Sequence, residues 1–235
     1  MNSTTPGAGS AARSLGEAMS ELAITLQQHY GSVEETLQSI TDSALTLIPG
    51  TTGASVSLVI ERRTIESRAA TSDFARGIDE MQTYLGEGPC LDAVWDEQTV
   101  TILDTEREDR WPKFAPAAAA AGVKSMLCFQ LYTYGDNLGA LNLFSDTYGA
   151  FDADAVQVGT FVATHAAVAL IAAEHEDQMQ SALATRDTIG QAKGILMERY
   201  DLSATRAFEM IRKLSQDWNI PVSELSRTIA TRENL

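Results

Sequence analysis

Apolar positions recur at helical spacing toward both ends of this chain and gather into short, strand-like runs between them. Leu15, Met19, Leu22, Ile24 and Leu26 fall at helix spacing within residues 11–30. Ser32, with Glu35 three residues on, has the form of a capping box for a second helix over 33–48, which Pro49-Gly50 ends. Residues 54–60 and 64–70 read as strands joined by a tight turn at Glu61-Arg62-Arg63. Loop and helix follow over 73–85, then a turn at Gly86-Glu87-Gly88-Pro89 and a short helix over 90–95. Residues 100–102 form a short strand, and a helix runs from Trp111 through the alanine run to Gly122. Strands over 125–132 and 138–144 are joined as a hairpin at Tyr134-Gly135-Asp136-Asn137. Together these elements predict an α+β domain, an antiparallel sheet flanked by helices.

Beyond Asp152, a fitting N-cap, a single helix is predicted to run past residue 196. Phe161, His165, Val168, Ala172, His175, Met179, Ala182, Arg186, Ile189, Lys193 and Leu196 keep a 4-3 spacing, the heptad register of a coiled coil. That predicts a parallel dimer seam. Four of these eleven positions are His, Arg or Lys, so an ordinary terminal helix followed by a linker stays open as the alternative. Two short helices close the chain. Ser203 caps the first, with Ala207, Phe208, Ile211, Leu214 and Trp218 as its apolar stripe. Pro221 opens the second, with Val222, Leu225 and Ile229 inward. With the end of the long helix they are expected to make a three-helix bundle.

The end of the long helix carries a pattern that amphipathicity does not explain. Ile189, Ala192, Ile195 and Leu196 share a broad apolar side, whereas Arg186, Gly190, Lys193 and Met197 share a separate narrow stripe. A glycine inside a helix costs roughly 1 kcal/mol against alanine. Gly190 and Gly194 beside basic residues therefore mark a surface that something approaches closely. Arg186 and Lys193 put cations on that stripe, and Met197 offers an apolar seat. Gln191 lies more than about 90° from the stripe. It would act from a neighbouring surface or bond within the bundle.

Net charge modifies this picture. The chain has 17 basic and 32 acidic residues, a net charge of −15, which argues against nucleic-acid binding by the whole surface. The imbalance belongs to residues 1–179, however, because residues 180–235 hold eight basic residues against seven acidic ones. An anion is therefore expected on the C-terminal segment. No uninterrupted apolar run reaches the roughly 20 residues of a membrane helix. The first ten residues lack a signal-peptide pattern and read as a disordered tail, so a cytoplasmic protein with no membrane partner is expected.

Catalytic and metal chemistry find no constellation. His29, His165 and His175 lie on predicted helices without a partner nucleophile or zinc spacing. Asp104, Glu106, Glu108 and Asp109 form a charge run expected to be solvated. Cys128 sits in the apolar run Met126-Leu127-Cys128-Phe129 and reads as a core thiol. Cys90, after Gly88-Pro89 in a loop, is a candidate for reactivity or ligand contact. Trp95, Trp111, Phe114, Tyr132 and Tyr134 are expected mostly in the core, with one or two lining a cavity beside the sheet. No enzyme and no cofactor are predicted.

The run from Ile189 to Met197, followed by Ala207-Phe208 and Ile211-Arg212-Lys213-Leu214, resembles an ANTAR domain, a family of RNA-binding antitermination modules. Residues 85–90, 109–114, 122–125 and 138–143 resemble a GAF domain of the kind that precedes ANTAR in actinobacterial proteins. The resemblance implies a disordered tail (1–10), a GAF sensor domain (11–172), a connecting coiled-coil helix (152–185) and an ANTAR domain (180–235). It implies a homodimer that binds dual stem-loops in nascent transcripts and favours antitermination. It further implies recognition of single-stranded loops, where RNA bases can be splayed out and read. The RNA-binding candidates are Arg186, Gly190, Gln191, Lys193, Gly194, Met197, Arg212 and Lys213. The candidates for an unidentified small-molecule effector of the GAF domain are Cys90, Trp111 and Tyr132. The stretch joining the last two helices, often basic in the family, is Asn219-Ile220-Pro221-Val222 here, which shifts the expected surface to the first two helices. Constitutive RNA binding with a purely structural GAF domain is one alternative. DNA-binding regulation through the final helices is another, although residues 222–227 supply few base-reading side chains.

Overall fold

The computed structural model describes residues 32–60, 64–95, 98–133 and 136–231, with Ser20 and Ile24 as helical positions before them. The tail over 1–10, most of the helix over 11–30 with His29, the turn at 61–63, and Tyr134-Gly135 lie outside the described residues. The chain divides into two compact units, Met1–Glu174 and His175–Leu235.

In the first unit, α1 (Val33–Leu47) starts where Ser32 Oγ accepts from the Glu35 amide at 3.3 Å, the expected cap. The strands β1 (Gly53–Ile60), β2 (Thr64–Ala70), β3 (Thr99–Ile102), β4 (Ser125–Thr133) and β5 (Asp136–Ser145) form one sheet. Its order is β2-β1-β5-β4-β3, and every pairing is antiparallel. The chain between β2 and β4 supplies α2 (Asp73–Leu85), α3 (Pro89–Trp95) and α4 (Phe114–Ala120). Thus Cys90 lies inside α3 and not in a loop.

Strand alternation sorts the core into two layers. Leu127, Phe129 and Leu131 join α1 and the start of α5 (Ala153–Tyr200) on one face of the sheet. Met126 and Cys128 join α2, α3 and α4 on the other. Asp152 caps α5, its Oδ1 accepting from the Ala155 amide at 2.9 Å. A Cβ added at Gly159 would stand 2.3 Å from the Phe129 ring, so α5 lies against β4 where only glycine fits. Below this point Val162, Ala163, Ala166, Ala167, Leu170 and Ala173 are buried. Small residues on that side keep the approach close.

The expectation about membrane length needs one correction. An 18-residue window of α5 reaches a mean hydropathy of 1.7, enough by length and composition to cross a membrane. Nonetheless, 44% of that window is buried in the protein, as in a core helix. The residues in heptad register point elsewhere. Phe161, Val168 and Met179 are 42%, 57% and 60% exposed, and His165 and His175 are exposed too.

The second unit packs the end of α5 with α6 (Ala204–Trp218) and α7 (Val222–Thr231) around Ala192, Leu196, Ala207, Ile211 and Leu225. Ser203 Oγ accepts from the Arg206 amide at 3.3 Å and starts α6. Asn219, at φ 53°, ends it. The left-handed turn lets the Ile220 amide reach back to the Ser215 carbonyl at 3.0 Å. This is the α+β domain, long helix and C-terminal helical bundle expected from the sequence.

Candidate nucleic-acid interface

On α5, the bundle core takes one side of the helix and leaves the glycines on the other. Ala192 and Leu196 are buried, with Ile189 and Ile195 half-buried beside them. Arg186, Gly190, Gln191 and Gly194 are exposed. A Cβ added at Gly190 or Gly194 would meet nothing within 4 Å, so no internal packing requires glycine there. The chain keeps the cost of two helical glycines and gains from them no contact of its own.

The predicted stripe is redrawn in two respects. Lys193 is half-buried at the border of this face and forms no ion pair among the described residues. Met197 is half-buried and packs against the bundle core, so it borders the surface instead of offering an open seat. Gln191 does not bond within the bundle: it is exposed, and Gly194 bridges the angle between it and Gly190. Gly194 was the residue that joined the two halves of the surface.

Helix α6 adds two exposed flanks. Arg212 sits one turn beyond Phe208, and Lys213 sits beside Met210 and Arg206 on the other flank. Arg212 and Lys213, adjacent in sequence, therefore serve different sides. Phe208 and Trp218, expected in the apolar stripe, are 42% and 59% exposed. Phe208 stands about 100° from Ala207, outside the arc that Ala207, Ile211 and Leu214 occupy. Trp218 is the last helical residue and projects beyond the core. These two aromatics are the side chains that sequence reasoning missed; the signal was their position at the margin of the stripe. Among the described residues, Arg186, Lys193, Arg206, Arg212 and Lys213 form no ion pair. The unit thus presents uncommitted cations beside aromatic rings, the combination that serves single-stranded nucleic acid.

The three effector candidates of the first unit are not brought together. Cys90 and Trp111 are buried in the layer under α2, α3 and α4. Burial pushes the Cys90 thiol up to about 12, with the Asp79 charge adding to it, so a thiolate nucleophile is not available at Cys90. Tyr132 lies on the opposite layer, half-exposed, in a groove of about 520 Å³ with Gln98, Phe129, Gln130, Thr160 and Thr164. Trp95 is exposed and Phe114 is core.

The two sequence stretches around Cys90 and Trp111 have a structural use instead. Glu87 Oε1 accepts from the Phe114 amide at 2.9 Å, capping α4, and Trp111 Nε1 donates to Asp92 Oδ2 at 3.1 Å. These bonds tie α3 to α4. In the carboxylate run, Asp104 caps a single 3-10 turn and Glu108 grips Arg110 at 2.7 Å. The Arg110 guanidinium holds the Glu108 carboxyl below its usual range. No cluster of metal-ligating side chains occurs among the described residues.

Comparison with known proteins follows this division. The GAF domain model matches residues 31–171, and the ANTAR domain model matches residues 177–229. No curated protein matches the chain. Among solved structures, the photosensory core module of a Stigmatella aurantiaca phytochrome is similar at 10% identity and a TM-score of 0.60. That match covers 90% of this chain and 47% of the other. Free methionine-R-sulfoxide reductase from Neisseria meningitidis is similar at 16% identity and a TM-score of 0.55, over 74% and 99% of the two chains. The phycoerythrobilin-bound GAF domain of a cyanobacterial phytochrome is similar at 12% identity and a TM-score of 0.54, over 69% and 97%. Identities this low speak to fold alone.

Proposed function

The chain belongs to the GAF domain family and carries an ANTAR domain, which makes it an RNA-binding antitermination regulator; we propose that it acts as a signal-responsive homodimer on paired hairpin loops of nascent transcripts. The observation that carries this reading is the open face of α5, where two glycines without packing partners lie beside Arg186 and Lys193. Bases splayed from a loop need such an approach, because side chains cannot read an A-form major groove. The cations hold the backbone, and the glycines leave room for the base. Arg212 with Phe208, and Lys213 with Arg206, extend contact along α6. A protein with this partner would act in the cytoplasm, beside the transcribing polymerase.

Dimerisation is supported by the exposed heptad positions Phe161, Val168 and Met179, which a second copy of α5 would cover. For a small-molecule effector, the groove beside Tyr132 supplies about 520 Å³, whereas Cys90 and Trp111 are buried in the core.

The test is binding of a two-hairpin RNA by Arg186→Ala and Lys193→Ala variants. Loss of one charged hydrogen bond corresponds to about 2 kcal/mol, or a roughly 30-fold weaker Kd. Unchanged circular dichroism would show the fold retained. Wild-type affinity in both variants would remove this face from the RNA site.

A further inference from the structure

Between α2 and the sheet lies a group of buried polar side chains that RNA binding does not use. Asp79 on α2 is 4% exposed. Its Oδ2 accepts from Ser67 Oγ of β2 at 2.7 Å and from Ser57 Oγ of β1 at 3.1 Å. Its Oδ1 accepts from Asn142 Nδ2 of β5 at 3.0 Å. One carboxyl group therefore fastens α2 to three neighbouring strands. Two features are unusual. Among the described residues no cation pairs with this buried carboxylate, and Asn142 Oδ1, on a side chain that is 0% exposed, has no hydrogen-bond partner. A buried, unpartnered acceptor costs about 1–3 kcal/mol, and an unpaired buried charge costs more.

A single proton removes both costs. A carboxylic acid and a primary carboxamide form a reciprocal pair, in which the amide N–H donates to one acid oxygen and the acid O–H donates to the amide oxygen. Half of that pair is already present. We propose that Asp79 and Asn142 form a proton-binding site in the GAF unit: on acidification Asp79 takes one proton from solvent, donates it to Asn142 Oδ1, and closes an uncharged acid–amide pair that locks α2 onto β5. Ser67, half-exposed, then turns its hydroxyl toward solvent, and Ser57 keeps the remaining lone pair. Asn142 Nδ2 goes on donating to Ser55 Oγ and Ser57 Oγ, which lie 3.4 and 3.3 Å away.

The neighbouring titratable groups leave Asp79 as the member that responds. On α2, Arg76 is exposed and donates to the Ser67 carbonyl at 3.4 Å, and Asp73 and Glu80 face solvent. On β2, Arg68 lies 3.8 Å from Glu66 and 3.5 Å from Glu34. On α3, Asp92 holds Trp111, and the Cys90 thiol stays protonated. On β4, burial pushes the Cys128 thiol well above its usual range. The described parts of β1 and the residues of β5 beside Asn142 carry no charge. Burial outweighs the hydrogen bonds from the serines and Asn142 and raises the Asp79 carboxyl from 3.8 to about 6, within reach of an acidified cytoplasm.

The sign of the effect follows. The folded state holds this proton more tightly than the unfolded chain does. The resulting stability is full below pH 3.8 and is lost as pH rises through about 6. A shift of this size changes the unfolding constant about a hundredfold across that window. That the proton reaches the RNA-binding unit rests on the reading of the GAF domain as its signal receiver, and the experiment separates the two claims.

In the full chain, the carboxyl carbons of aspartate would be labelled with carbon-13 and followed by NMR from pH 4.5 to 8. Asp79 is assigned by its loss in Asp79→Asn. A midpoint near 6, moved upward in Ser67→Ala by removal of a donor to the charged form, is the expected result. Asp79→Asn presents an N–H to Asn142 Oδ1 as the bound proton would, so its stability should lose the wild-type slope between pH 5 and 7. An Asp79 carboxyl that stays ionised down to pH 4.5 would overturn the proposal. If Asp79→Asn does not fold, the Ser67→Ala shift decides alone. RNA affinity at pH 5.5 and 7.5 is the second arm. A carboxyl that titrates near 6 without any change in RNA affinity upholds the proton site and removes the GAF domain as receiver of this signal.

Discussion

At Gly190 and Gly194 the stability of the helix and the use of its surface pull in opposite directions. Alanine at Gly190 would meet nothing within 4 Å and would favour the helix by about 1 kcal/mol. We expect Gly190→Ala to raise the melting temperature of the protein while weakening its binding to a two-hairpin RNA; a variant both more stable and of undiminished affinity would show that the glycine is not kept for RNA. That these glycines lie on an open face was legible in the sequence, because a helical cost beside basic residues needs a reason. The fate of Met197 was not. Angle alone grouped it with Arg186, and only the position of α6 and α7 decided that it would border the core. Asp79 was equally hidden. Nothing in residues 73–85 distinguishes it from Asp73 or Glu80 until the sheet brings Ser57, Ser67 and Asn142 to it.

Local signals placed the elements well where hydrogen-bond caps and turns govern them. Ser32, Asp152 and Ser203 each cap the helix expected of them, and β2 spans Thr64–Ala70 as its alternation required. The errors came from tertiary contact. Cys90 was expected both in the loop after Gly88-Pro89 and at the start of a helix over 90–95, and the helix is what forms, with Pro89 as its first residue, a position that tolerates its missing N–H. Trp111, a candidate ligand contact, is buried with its indole bonded to Asp92. Helix α5 carries the corresponding prediction at this scale. Gly159→Ala would force a Cβ into the Phe129 ring, and overpacking of this kind costs about 1–3 kcal/mol. Chemical denaturation should record that loss, whereas the same change at Gly194 should not destabilise. Equal effects at the two glycines would contradict the close approach of α5 to β4.

For the molecule as a whole, the first unit closes its sheet between two apolar layers, and α5 still leaves Phe161, Val168 and Met179 facing outward. A second copy is the expected cover. Light scattering should give a dimer mass, and Val168→Asp should shift it toward monomer; a monomeric mass for the wild type at all concentrations would count against the seam. The heptad register of α5 raised this expectation from the chain alone, and the structure adds that Phe161, Val168 and Met179 are exposed.

The small core of the second unit has a kinetic meaning. Among the described residues Ala192, Leu196, Ala207, Ile211 and Leu225 are the buried apolar side chains there, two of them only alanine, with partly buried residues such as Met197 and Leu214 around them. A helix end weakened by glycines and held by so few side chains belongs to the low-stability part of a protein, where local opening is frequent. Anything that binds the closed bundle and not the open one stabilises it by mass action. The transcript is then a folding partner of the unit that reads it, and the RNA face would be most fully formed when it is in use.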